Sequence, residues 1–156
     1  MSRHHPRKGN SFRSDPTYKN ALVHIIVSRL MRKGKKTLSC CIFYSTLSKI
    51  RDETQSDPLF VFEHAIRIVT PIVQLKSCRI GGATYQIPIS ISLRRGTAVA
   101  IQWILIFART RSESGMDVCL STEILDIVHE SGGSVRKRDD IHRIAESNKA
   151  FANYRL

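Results

Sequence analysis

Acidic side chains are scarce in this sequence: Asp and Glu number 13 against 25 Lys and Arg, a formal net charge of +12 over 156 residues. A compact body with that imbalance repels itself until counterions or phosphates neutralise it, so a polyanionic partner is expected. Long apolar runs are also missing. The longest, Ala98 to Ala108, has 11 residues and is interrupted by Gln102, against about 20 for a bilayer span, so no membrane partner is expected. The four cysteines, Cys40, Cys41, Cys78 and Cys119, form no C-x-x-C pair, which argues against a zinc site and for no metal or cofactor. No secretory apolar region follows Met1-Ser2-Arg3, in keeping with a reducing compartment and free thiols.

Catalytic constellations are equally thin. The six histidines never pair at i, i+4, and Arg32-Lys33-Gly34-Lys35-Lys36-Thr37 has Arg29 where a phosphate loop needs its first glycine. Ser134 and Lys137 have the spacing of a serine–lysine pair without its partner motifs, so Ser134 is expected to cap a helix. Asp139 and Asp140 are adjacent, so they do not share a helix face, and are expected to balance neighbouring arginines. The chain is not expected to be an enzyme.

What is present is a core and an uneven charge. Hydrophobic residues make up 42% of the chain, too many for a disordered basic tail. Residues 1–38 carry 10 basic and 1 acidic side chain, residues 76–111 carry 6 and none, and residues 133–156 carry 6 and 3. Residues 112–132 hold 5 acids and no base. Three basic stretches separated by acidic ones point to one binding face built from distant pieces of chain.

The spacing of apolar residues predicts a mainly α fold: a single domain of about six helices with a protruding two-stranded β-hairpin near 72–91. Residues 1–14 are expected to be a flexible basic arm and residues 15–156 a helical RNA-binding domain. Asp15-Pro16 is expected to start the first helix and Gly34 to end it. A second helix, about 37–51, should bury Leu38, Cys41, Ile42 and Leu47. Asp57-Pro58 should start a third, with Val61, Ala65, Ile68 and Val69 inward, ending at Pro71. The period then changes to two around Gly81-Gly82, a hairpin signal. Further helices are expected at about 94–110 (Ala98, Ile101, Leu105 and Ala108 inward), at 116–131 with its acids outward, and from Ser134.

Candidate nucleic-acid contacts follow the charge. In the arm they are Arg3, Arg7, Lys8 and Arg13; in the first helical turn region, Arg32, Lys33, Lys35 and Lys36. Further along they are Lys76, Arg94, Arg95, Arg109 and Arg111, then Arg136, Lys137, Arg138, Arg143 and Lys149. The hairpin tip offers Arg79, Gly81, Gly82, Thr84 and Tyr85, where two glycines let backbone approach a phosphate or base. A purely structural Gly-Gly turn accounts for these residues equally well. Phe151, Tyr154 and Arg155 at the C-terminus supply stacking faces with charge beside them.

Two of these segments carry a resemblance. Arg79-Ile80-Gly81-Gly82-Ala83-Thr84-Tyr85-Gln86-Ile87-Pro88 and the stretch from Val135 to Arg155 resemble the two signatures of the bacterial-type small ribosomal subunit protein seven family. Gly34-Lys35-Lys36 and Ala100-Ile101-Gln102-Trp103 fall at the expected places between them. The resemblance implies a six-helix body with a hairpin arm that binds the 3′ major domain of small-subunit ribosomal RNA early in assembly of the head. It further implies a hairpin near exit-site transfer RNA and the messenger RNA path, and contact with small-subunit protein eleven. The sequence departs from the family at Gln102 and Cys78, where arginine is usual, and at Asn153, where histidine is common. The opening Ser14-Asp15-Pro16 and the end after Tyr154-Arg155 look like the plastid branch, in the chloroplast stroma, with a mitochondrial or bacterial cytoplasmic origin as the alternatives. The second functional class compatible with these features is an architectural DNA-binding protein with a β-arm, although Pro88 lies far from the tip where such an arm carries its wedge.

Overall fold

The computed structural model describes residues 15–150, without the side chains of Ile80 and Ala83. Six helices and one hairpin follow in the order α1 (Ala21–Leu30), α2 (Lys36–Thr54), α3 (Pro58–Val69), β1 (Val73–Ile80), β2 (Ala83–Ser90), α4 (Leu93–Thr110), α5 (Met116–Val128) and α6 (Gly133–Ser147). The mainly helical architecture with a two-stranded antiparallel sheet is the one expected. The chain divides into two compact units, Met1–Cys40 and Cys41–Leu156. No described helix is long and apolar enough to cross a membrane.

In the first unit, α1 starts later than its sequence implied. The Asp15 carboxylate accepts from the Thr17 and Tyr18 amides at 3.1 and 3.2 Å, closing a local turn. Lys19 then takes a positive φ of 50°, which breaks the helical path. The cap is Asn20, whose side chain accepts from the Leu22 amide at 2.8 Å. Gly34 does not end the helix either. Met31 is already extended, and Gly34 lies in the turn that follows.

α2 runs from one unit into the other, and its inner stripe differs from expectation. Leu38 is 53% exposed and Cys41 is exposed, whereas Ser39, Phe43, Thr46, Leu47 and Ile50 are buried. Hydroxyls can line a buried stripe when they bond back to the helix. Ser39 Oγ donates to the Lys35 carbonyl at 3.1 Å and Thr46 Oγ1 to that of Ile42 at 2.9 Å. Within the second unit, Phe43 meets Phe62 of α3 edge-on, with ring centroids 5.3 Å apart.

α3 starts as expected, with Asp57 accepting from the Leu59 amide and Pro58 in the first turn. Its innermost residues are Phe62, Ala65, Ile66 and Val69, so Val61 and Ile68 sit at the flank. α5 packs against α3, α4 and α6, and α6 against both strands of the hairpin. The inner face of α4 carries Ala100, Ile101, Ile104, Leu105 and Ala108, with Ala98 half-buried. Gly133 lets the start of α6 come close to α4: a Cβ there would stand 2.7 Å from the ring of Phe107.

The hairpin register pairs Val73 with Ser90, Leu75 with Pro88, Lys76 with Ile87 and Arg79 with Thr84. Directly opposed residues share a face. Val73 and Leu75 therefore lie on one face and Tyr85, Ile87 and Ile89 on the other. Neither face is purely apolar. Gly81 and Gly82 both have positive φ, 57° and 89°, as a two-residue hairpin turn of primed type demands.

Candidate nucleic-acid interface

The fold uses its carboxylates selectively. At the end of α4, Arg111 is held by three of them. Its Nε and Nη2 donate to Glu123 Oε2 at 3.1 and 2.7 Å, Nη2 also bonds Asp126, and Glu113 lies 3.6 Å from Nη1. Burial works against the guanidinium charge, but the hydrogen bonds and charges of Glu123 and Asp126 outweigh it and hold its pKa above the ordinary arginine value. Arg111 is thus bonded into the protein rather than presented to solvent.

Glu123 is only 1% exposed, an exception to the expectation that α5 turns most of the acidic 112–132 stretch outward. Its other oxygen accepts from the Ser134 amide at 3.1 Å and the Ser134 hydroxyl at 2.7 Å. Ser134 is therefore not the cap of α6. The helix begins at Gly133 after Gly132, and its capping acceptor comes from α5. α5 also ends at Val128 rather than near Ser131.

Asp117 plays a similar part at the other end of α5. It bonds Lys49 Nζ at 2.7 Å and accepts from the Ser45 hydroxyl at 2.8 Å. These two contacts hold its carboxyl down at about 2. On α6, Arg138 donates to the Ile68 carbonyl at 2.6 Å and bonds Asp139, while Arg143, although 80% exposed, bonds Asp140 at 2.6 Å. Asp139 and Asp140 balance neighbouring arginines, as expected.

Each unit carries its own set of candidate contacts among the other cations. In the first unit, Arg32, Lys33, Lys35 and Lys36 are all exposed around a tight turn, where Lys33 and Gly34 have positive φ and the Lys36 amide donates to the Gly34 carbonyl at 2.8 Å. In the second unit, Lys76, Arg79, Arg94, Arg95, Arg136, Lys137 and Lys149 are exposed. None of these eleven side chains makes an ion pair among the described residues. Arg109 is exposed and does have an interaction partner.

At the tip, Arg79 and Thr84 are exposed opposite one another, and Tyr85 is half-buried opposite Cys78. Gln102 is exposed on α4. All four cysteines are free. Among the described residues no group of three or more His, Cys, Asp or Glu could hold a metal. Arg3, Arg7, Lys8, Arg13, Phe151, Asn153, Tyr154 and Arg155 lie outside the described residues.

Glu123, Asp117, Lys49 and Ser45 were not marked in the sequence as functional or structural. Glu123 carried a signal: it sits among Leu120, Ile124 and Ile127 at helical spacing, on a stripe that must be buried.

A helical frame, a two-stranded arm and a surplus of unpaired cations define a basic helical protein armed with a β-hairpin. The chain belongs to the ribosomal protein S7p/S5e family, whose description matches residues 2–149. Small ribosomal subunit protein uS7c of Chlorella vulgaris is 47% identical over 156 residues, covering 100% of both chains. The uS7 of Synechocystis is 44% identical over 155 residues, 99% of each chain, and uS7c of Nephroselmis olivacea is 42% identical over 156 residues, 100% of each. This is a family of ribosomal proteins of the small subunit, not of enzymes, and the likeness to chloroplast and cyanobacterial members agrees with the bacterial-type, plastid-like resemblance of the two signatures.

Proposed function

We propose that the chain is a primary ribosomal RNA-binding protein of a plastid small ribosomal subunit, located in the chloroplast stroma. It would bind the 3′ major domain, nucleate assembly of the head, and present its hairpin to exit-site transfer RNA and messenger RNA beside small-subunit protein eleven. One observation carries the RNA-binding part of this reading. Asp117, Glu123, Asp126, Asp139 and Asp140 are bonded to Lys49, Arg111, Arg138 and Arg143, while the cations of the 32–36 turn, the hairpin and the start of α4, with Arg136 and Lys137 of α6, have no ion pair among the described residues. Side chains left unpaired in this way release counterions when phosphates replace them. Membership of a ribosomal protein family supplies the class of RNA, and the 79–88 and 135–155 signatures support the placement in the head.

A filter-binding titration with a 3′ major domain RNA tests the reading. If about 6–10 phosphates are neutralised, affinity falls by roughly 10³–10⁵ between 50 and 200 mM salt. A flat salt response, or equal affinity for random duplex DNA, overturns it. Co-sedimentation with small subunits at high salt tests the assembly role separately.

A further inference from the structure

Where the hairpin meets the first turn of α4, the surface of the second unit is indented by a groove of about 530 Å³. That is within the range of about 300–1,000 Å³ in which proteins hold small ligands. Its walls combine two chemistries. Ile89 and Ile91 are half-buried and apolar; Lys76 and Arg95 are exposed cations with no ion pair among the described residues; Gln74 adds an amide. No acid lines the groove.

The hairpin register creates this mixture. Gln74 faces Ile89 and Lys76 faces Ile87, so polar and apolar side chains share one face. On the α4 side, the N-cap Ser92 makes no side-chain cap bond, and the peptide N–H groups of the first turn add donors beside Arg95.

A wholly apolar ligand would cover the two cations and leave them without a counter-charge, which is costly. A duplex would offer phosphates to Lys76 and Arg95 but keep its bases stacked inside, away from the apolar wall. An unpaired nucleotide has both halves: an anionic phosphate and a flat base with apolar faces and polar edges. We propose that this groove seats one unpaired nucleotide of the bound RNA, its phosphate between Lys76 and Arg95 and its base against Ile89 and Ile91. The proposal rests on the reading of the chain as an RNA-binding protein.

The test uses the full chain and two RNAs: a fully paired hairpin stem, and the same stem with one central unpaired 2-aminopurine. The wild type should prefer the bulged RNA by about tenfold, the scale of one well-seated base, and change the 2-aminopurine fluorescence. Lys76→Gln with Arg95→Gln should abolish the preference and the fluorescence change, with an unchanged circular dichroism spectrum and melt. Lys35→Ala with Lys36→Ala, outside the groove, should weaken both RNAs alike and leave the preference intact. Equal binding of both RNAs by the wild type, or equal weakening of both by the groove substitutions, overturns the nucleotide seat while leaving RNA binding standing. Failure to bind either RNA at low salt overturns the RNA-binding reading itself, and the seat with it.

Discussion

Replacing Glu123 with alanine should cost more stability than any substitution at the surface cations. The carboxylate is 1% exposed and accepts four hydrogen bonds, two from Arg111 and two from Ser134. Removing one member of a buried ion pair costs about 3–5 kcal/mol; Asp126 and Glu113 remain beside Arg111, so the lower end, about 3 kcal/mol, applies. Loss of the acceptor at the start of α6 adds about 1 kcal/mol. The expected total, about 4 kcal/mol, is a large part of the roughly 5–15 kcal/mol that holds a domain together. It corresponds to a fall in melting temperature of roughly 8–16 °C. Glu123→Gln retains an oxygen for Ser134 while losing the charge, so it should cost about 3 kcal/mol, and its difference from alanine isolates the cap. Asp126→Asn should cost under about 1 kcal/mol, because that carboxylate is 38% exposed and screened by water. Urea unfolding followed by far-ultraviolet circular dichroism measures all three. A Glu123→Ala loss below about 1 kcal/mol, or an Asp126→Asn loss equal to that of Glu123→Gln, would refute the account of a buried network centred on Glu123.

Lys35→Ala with Lys36→Ala should reduce the salt slope of RNA binding by about 2 with an unchanged melt; a lowered melt would make these lysines structural. The Asp117 carboxyl is held at about 2, so its contribution is complete above about pH 4, the unfolded value, and is lost as pH falls through the folded one. Asp117→Asn should therefore lower stability at neutral pH by about 1 kcal/mol after solvent screening and flatten the acid limb of the stability curve; an unaltered limb would contradict this. Gly133→Ala should destabilise by about 1–3 kcal/mol through contact with the Phe107 ring, which Phe107→Leu in the same chain should partly relieve. Replacing Ile80–Thr84 with a glycine-rich turn should change stability by under about 1 kcal/mol and leave head assembly intact while altering exit-site transfer RNA retention or frame maintenance; failed assembly would mean that the tip is a docking element.

The element order and the hairpin turn were legible because they depend on local signals. Asp57-Pro58, the change of period after Pro71 and Gly81-Gly82 act over a few residues. The α2 stripe was misjudged because hydroxyls count as polar in a pattern, yet Ser39 and Thr46 satisfy themselves within the helix. Asp15 misled for a related reason: its carboxylate does cap amides, but those of a single turn that Lys19 then terminates. The candidate site was legible as charge and illegible as pairing. Arg111 and Arg95 look alike in sequence, and only the approach of α5 gives one of them its carboxylates.

The hairpin's register also decides which way its charges point, and turn chemistry rather than burial sets it. A slip of one residue would put Val73 and Leu75 on the same face as Ile87 and Ile89, a better segregation of apolar from polar side chains than the observed pairing. Such a slip needs a three-residue loop, which requires left-handed backbone at one position only, whereas the observed two-residue turn requires it at both Gly81 and Gly82. Gly81 therefore acts as a direction selector. A side chain there favours the longer loop, and with it a hairpin in which Arg79 emerges on the face now carrying Tyr85. The sidedness of the whole arm is stored in one missing Cβ.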